Sequence, residues 1–165
     1  MEIQTHFLYP ATLFAHKEPH VVSTILGSCV AVCLWDPTLQ IGGINHYMLP
    51  LWNGQGLASP KYGNIAIEKL IERMLQMGSK KSNLKAKVFG GGEVIETQIS
   101  HFQIGERNIV LAMESLKDEK IPIISQSVGG KLGRKIQYNT QTGAVLHKFI
   151  EKQAINQIDK AIGLK

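Results

Sequence analysis

A cysteine and a histidine are the residues of this chain whose types and spacing could do chemistry. Cys29 lies in the stretch LGSCVAV at residues 26–32, where a Gly-Ser turn leads into an apolar run of β type. His46 closes a second such run, in GGINHYMLP at residues 42–50. A thiol at the start of one strand and an imidazole at the end of the next could face each other across a hairpin. Since a neighbouring base can take the thiol proton, the pair could support nucleophilic thiol catalysis.

Each of these residue types also has an ordinary structural explanation. Free cysteine is among the most buried residue types and often only fills space in a core, which is the role we assign to Cys33. His16 and His20 could be joined with the two cysteines into a zinc set. Pro19 would break a helix that carried ligands at i and i+4, and a Cys-x-x-x-Cys pair within a strand points along one sheet face. We therefore expect no metal, and nucleophilic thiol chemistry needs no organic cofactor either.

Composition narrows the class of protein. A chain of 165 residues with 44% hydrophobic content predicts one globular domain over residues 1–165. No apolar stretch is long enough for a transmembrane span, and residues 1–6 lack the features of a signal peptide. Two cysteines without an export signal favour a reducing compartment, so we expect a cytoplasmic protein.

The charge pattern bears on the kind of partner. The net charge of +5 is scattered along the chain and aromatic residues make up only 7% of it, which disfavours nucleic-acid binding. A basic surface is equally suited to an acidic protein partner, through long-range steering.

Hydrophobic periodicity predicts a mixed α+β domain whose sheets are covered by helices. The predicted strands are residues 30–35, 41–48, 85–89, 121–128, 135–138 and 144–149. The predicted helices are residues 60–77, a helix capped by Asn108 and running to Lys117, and the tail from about 150 to 162. The glycine-rich segments 90–92 and 128–135 do not fit a P-loop, so turns with close backbone approach are the better explanation.

Several motifs, taken together and in order, resemble the CheD family of chemoreceptor glutamine deamidases of bacterial chemotaxis. They are LGSCVAV at 26–32, GINHYMLP at 43–50, KYG at 61–63, KVFGG at 87–91, IGERN at 104–108, VGGKLGRK at 128–135 and NTQTG at 139–143. The resemblance covers about residues 21–148. It leaves residues 1–20 as an N-terminal extension and residues 150–165 as a C-terminal helix.

The resemblance implies hydrolysis of selected glutamine side chains to glutamate on the cytoplasmic helices of methyl-accepting chemoreceptors. Cys29 matches the family's nucleophile and His46 its general base, and the reaction proceeds through a γ-thioester. The resemblance further implies a mixed β-sandwich flanked by helices, like the toxins of the cytotoxic necrotizing factor type. In some relatives a CheC-type phosphatase binds and restrains the enzyme. Neither nucleic acid nor insertion into a membrane is implied.

The family's third catalytic residue is a threonine shortly before the Gly-Ser-Cys turn. We assign this role to Thr24, with Ser23 as the alternative because the loop before the turn can differ by one residue. Ser23 shares strand parity with Cys29, so a fully extended chain would put both on one face. A glycine turn at Gly27 would break that parity and let Thr24 swing toward the imidazole.

Two other functions stand beside deamidation. One is a non-enzymatic binding module that docks on chemotaxis signalling proteins. The other is another thiol amidase or a transglutaminase-like activity, which differ in whether water or an amine resolves the thioester. Release of ammonia from a glutamine-bearing receptor fragment separates deamidation from mere docking, and the mass of the product separates it from amine addition.

Overall fold

The computed structural model describes residues 2–94 and 103–151 of the chain. These residues form nine strands and two α-helices. The strands are β1 (Gln4–Phe7), β2 (Thr12–His16), β3 (His20–Leu26), β4 (Val30–Asp36), β5 (Ile41–His46), β6 (Lys85–Gly90), β7 (Ile123–Val128), β8 (Gly133–Asn139) and β9 (Val145–Ile150). The helices are α1 (Gly63–Gln76) and α2 (Ile104–Asp118).

The strands form two mixed sheets. A four-stranded sheet has the order β1-β3-β8-β9, with β1 and β3 parallel and the other pairs antiparallel. A five-stranded sheet has the order β2-β5-β4-β6-β7, in which only β6 and β7 are parallel. This is the predicted α+β sandwich, and both helices pack on the outer face of the five-stranded sheet.

Strand β4 is buried on both faces because it lies in the middle layer. Val30, Val32 and Leu34 pack toward the helices, whereas Ala31 and Cys33 pack against the four-stranded sheet. A strand between two layers needs apolar residues at successive rather than alternate positions, and residues 30–35 of β4 are all apolar. Cys33 is 1% exposed, so its assignment to the core is confirmed.

The two helices differ in how well the sequence predicted them. The predicted helix 60–77 is present as α1, with the i+4 row of Ala66, Leu70 and Met74 buried. It ends just before Gly78, which has a φ of 108°. The prediction that Asn108 caps α2 is wrong. The helix begins at Ile104, and Asn108 lies inside it, fully buried, in one i+4 row with the inward-facing residues 112 and 116.

The strands before residue 27 were not predicted. β1 is short and mostly polar, and β2 places Leu13, Phe14 and Ala15 side by side between polar ends, so neither shows the hydrophobic alternation by which a strand is recognised. They nevertheless belong to the sheets, since β1 pairs with β3 and β2 pairs with β5.

The remaining predicted elements are present within about two residues of their expected bounds. The turn at residues 139–143 joins β8 to β9, and Gly143 at its end has a positive φ of 76°. The helix expected beyond residue 150 lies outside the described residues. Among the helices that are described, none is both long and apolar enough to cross a bilayer.

Candidate active site

The hairpin of β4 and β5 carries the thiol and the imidazole singled out above. Val30 and Tyr47 exchange two backbone hydrogen bonds across it, of 3.0 and 3.1 Å. Cys29 directly precedes Val30, and His46 directly precedes Tyr47, so the two are diagonal neighbours on one face of the sheet. Diagonal neighbours in antiparallel sheets have Cα atoms about 7–8 Å apart, within reach of longer side chains. That face is the one between the sheets, where Cys29 packs half-buried against the inter-sheet cluster.

Thr24 approaches His46 from the opposite sheet. Strand β3 buries every second residue, so Thr24 is fully buried between the sheets while Ser23 points to the other face and is only partly buried. Thr24 Oγ1 lies 2.7 Å from His46 Nδ1. Because the chain bends after β3, at Gly27, and enters the other sheet with β4, strand parity does not carry over from Thr24 to Cys29. The structure brings Thr24, and not Ser23, to the imidazole.

The hydrogen bonds of Thr24 determine which imidazole nitrogen carries the proton. Thr24 Oγ1 also lies 2.7 Å from the carbonyl oxygen of Leu8, which can only accept, so the single hydroxyl proton points to Leu8. Thr24 Oγ1 must then accept from His46, and Nδ1 is the protonated nitrogen. Nε2 keeps its lone pair and is buried without a hydrogen-bond partner among the described residues. The imidazole therefore presents a proton acceptor.

Burial also keeps this imidazole neutral. The side chain of His46 is 1% exposed, and desolvation lowers its pKa from 6.5 to about 3. At neutral pH His46 is therefore a neutral base. Burial raises the pKa of the Cys33 thiol well above its ordinary value, so the second cysteine stays protonated. The two cysteines thus occupy different environments, one inside the core and one at its margin.

The backbone around Cys29 is held by hydrogen bonds to three consecutive carbonyls. Gly92 N–H donates to Gly27 O (2.9 Å), Asn108 Nδ2 donates to Ser28 O (3.0 Å), and Gly91 N–H donates to Cys29 O (2.9 Å). The Ser28–Cys29 peptide is trans, so the N–H of Cys29 points away from Asn108. These hydrogen bonds fix the turn, and with it the direction in which the N–H of Cys29 points.

The glycine run at residues 90–92 lies where two backbone segments approach each other closely, as the sequence predicted. Gly90 has a φ of 110°, and a Cβ at this position would collide with the carbonyl oxygen of Cys29. A side chain there would push the turn out of place. This part of the prediction is confirmed.

Asn108 is a site residue whose role the sequence did not reveal. Its side-chain Nδ2 donates to Met48 O at 3.0 Å and to Ser28 O in the turn before β4. Its backbone carbonyl accepts from the Tyr47 hydroxyl at 2.5 Å. One residue of α2 thus ties both ends of the hairpin together. The available signal was its register: an asparagine in a buried row with Ala112 and Leu116 must find polar partners in the core.

Two further polar contacts next to His46 were also missed. Asn45 Oδ1 accepts from Val32 N–H at 2.9 Å, so a side chain takes the place of a ladder carbonyl at this point of the hairpin. The carbonyl of His46 accepts from Ala11 N–H at 2.8 Å. Both contacts fix the strand that carries the imidazole.

The zinc set considered from the sequence is not assembled. The rings of His16 and His20 lie 5.1 Å apart, on either side of the bend between β2 and β3, where each ring contacts the backbone of Glu18. Over residues 2–94 and 103–151, no three side chains of His, Cys, Asp or Glu come together in a way that could hold a metal ion.

A cysteine, a neutral imidazole and a buried hydroxyl lie at one end of a sandwich of two mixed sheets. These are the groups that a cysteine-dependent hydrolase uses. Comparison with known proteins is more specific. The family described as CheD chemotactic sensory transduction matches residues 48–149. A probable chemoreceptor glutamine deamidase CheD of Trichlorobacter lovleyi is 51% identical over 144 residues, which cover 87% of this chain and 89% of that protein. One of the same name from Sulfurimonas denitrificans is 45% identical, over 92% of this chain and 98% of its own.

The chain belongs to the CheD family. A solved structure, the Bacillus licheniformis hypothetical protein YfiH, is similar with a TM-score of 0.43 and 16% identity, over 66% of this chain and 49% of its own. So slight a likeness supports no conclusion about this protein. The expected likeness to the cytotoxic necrotizing factor toxins stays a prediction.

Proposed function

We propose that this protein is a chemoreceptor glutamine deamidase, which hydrolyses glutamine side chains of methyl-accepting receptors to glutamate and ammonia. Two relatives with 45–51% identity are named probable chemoreceptor glutamine deamidases, and the match covers most of their length. The observation that carries the proposal to particular residues is the hydrogen bond from His46 Nδ1 to Thr24, on the hairpin that also bears Cys29. We propose Cys29 as nucleophile, His46 as general base and acid, and Thr24 as the residue that orients His46.

In the first half-reaction the Cys29 sulfur attacks the side-chain carbonyl carbon of glutamine. The thiol proton passes to His46 Nε2, which is the unprotonated nitrogen of this imidazole. The carbonyl oxygen becomes an oxyanion, which needs preorganised donors, and the N–H of Cys29 is the donor we propose. The carbon–nitrogen bond then breaks, the leaving nitrogen takes the proton from His46, and ammonia departs from a γ-thioester.

In the second half-reaction water attacks the thioester carbon. His46 Nε2 accepts a proton from this water, the carbon–sulfur bond breaks, and the sulfur recovers its proton from His46. The sum is one glutamine and one water converted to one glutamate and one ammonia. Throughout, the Nδ1 proton stays on His46 and is donated in the hydrogen bond to Thr24, so Nε2 is the nitrogen that serves in every transfer.

The substrate and its location follow from the same proposal. The receptor segments are helices on the cytoplasmic side, so we propose a cytoplasmic protein. We also propose a CheC-type phosphatase as a partner, which co-elution of the two proteins on a sizing column would test. The net charge of +5 suits acidic partners of either kind.

The test is ammonia release from the cytoplasmic fragment of a chemoreceptor. We expect ammonia in step with a mass gain of about one dalton per glutamine, since –NH₂ is replaced by –OH. Cys29→Ala should abolish both signals while leaving the fold intact, and Cys29→Ser should be nearly inactive because an alkoxide is much harder to form than a thiolate. Cys33→Ala is the matched control and should retain the turnover of folded protein. If Cys29→Ala keeps more than a few per cent of the rate, the cysteine mechanism is wrong; binding without ammonia would favour the docking module instead.

A further inference from the structure

The segment between β1 and β2 reaches both sheets next to the candidate site. At one end, Leu8 N–H donates to Ser23 O at 2.8 Å, and the Leu8 side chain is fully buried in the inter-sheet cluster. At the other end, Ala11 N–H donates to the carbonyl of His46 at 2.8 Å. The segment is therefore held by backbone hydrogen bonds to both β3 and β5. Neither contact could be anticipated from residues 1–20, which the motifs leave out.

The carbonyl of Leu8 controls the proton of Thr24. The hydroxyl has two neighbours at 2.7 Å, Leu8 O and His46 Nδ1, and only one proton to give. With the carbonyl present, the proton goes to Leu8, and Nδ1 must donate. Without it, the hydroxyl could donate to Nδ1 instead, and the imidazole proton would move to Nε2. An imidazole in that second form cannot accept the thiol proton.

We infer that the carbonyl of Leu8 is a positioning group of the active site, which selects the imidazole tautomer that can act as base. This inference rests on the proposed function only for its consequence in catalysis. The tautomer itself is a property of the resting protein. The N-terminal segment is then a working part of the enzyme and not an appendage, and the site has four members, one of them a backbone oxygen.

The Leu8 carbonyl can be weakened as an acceptor by a change confined to one backbone linkage. Cys29 is a natural ligation point, so a synthetic thioester of residues 1–28 joined to residues 29–165 gives residues 1–165 with every side chain unchanged. Replacing the Leu8–Tyr9 amide by an ester leaves every side chain in place and turns the Leu8 carbonyl into a weaker acceptor. The matched control is an ester at Phe7–Leu8, which removes the Leu8 N–H donor to Ser23 but keeps the Leu8 amide carbonyl.

Two readouts separate the inference from a structural effect. Nitrogen-15 chemical shifts of His46 report the tautomer, and we expect the Nδ1–H form in the wild type and in the control ester. The Leu8–Tyr9 ester should show a mixture of the two forms, and kcat for ammonia release should fall about 5- to 10-fold relative to the control, with KM unchanged.

Each contrary result has a distinct meaning. A wild-type spectrum of the Nε2–H form, or equal spectra and rates for the two esters, would overturn the inference. A ligated wild-type chain that shows the Nδ1–H form but releases no ammonia would contradict the proposed function and leave the tautomer assignment standing.

Discussion

The neutral, buried imidazole of His46 predicts how the stability of the protein depends on pH. Its pKa is about 3 in the folded protein and 6.5 in the unfolded chain, so between these values only the unfolded chain binds the proton. The contribution of His46 is fully present above pH 6.5 and is lost as the pH falls toward 3. Each pH unit in that window costs about 1.4 kcal/mol of unfolding free energy, which gives about 2 kcal/mol at about pH 5 and about 5 kcal/mol over the whole window.

The measurement is urea unfolding at about pH 7.5 and about pH 5, for the wild type and for His46→Asn. The asparagine amide can take the place of Nδ1 as a donor to Thr24, but it does not titrate. Other groups, His6 and His147 among them, titrate alike in both proteins and drop out of the comparison. We expect the wild type to lose about 2 kcal/mol more than the variant on going to the lower pH. Equal losses in the two proteins would refute the argument from burial.

Four further substitutions test the site. Thr24→Ala should lower kcat by about 10²-fold or more at saturating receptor fragment, whereas Ser23→Ala should change it little; the reverse result would mean that the orienting hydroxyl is misassigned. Cys33→Ala should cost about 1 kcal/mol of unfolding free energy, and iodoacetamide should label Cys29 faster than Cys33 in the native protein, so equal labelling would contradict the assignment of the pair. Asn108→Ala leaves two partly buried carbonyls without the donor that the fully buried Asn108 supplies, and should lower the unfolding free energy by about 2–3 kcal/mol in urea titrations, a loss that an exposed cap would not produce.

The sequence alone was sufficient where the signal is local. The apolar run of β4, the turn at residues 36–38 and the second apolar run predict the hairpin on which Cys29 and His46 lie. The i+4 row of Ala66, Leu70 and Met74 predicts α1 for the same reason, since side-chain periodicity is a property of neighbouring residues. The ordered motifs of residues 26–143 were sufficient for the family.

Elements with weak local patterns needed the tertiary structure. β1 and β2 are recognisable only by the strands they pair with, because edge strands with exposed side chains do not need hydrophobic alternation. Asn108 was mistaken for a cap because a polar residue near the start of a helix usually is one. Its carbonyl partners at Ser28 and Met48 are 80 and 60 residues away in the chain.

The contrast is sharpest between Thr24 and Ser23. The sequence left both open, since a count of strand parity favoured one and a glycine turn the other. The chain passes from one sheet to the other after Gly27, and only the packing of those two sheets determines which side chain of β3 faces His46. The same holds for the hydroxyl proton, which is directed by a carbonyl sixteen residues away, at Leu8. Residue types along the chain determined which groups can do chemistry here, whereas their orientation and protonation depend on contacts between segments that no local pattern encodes.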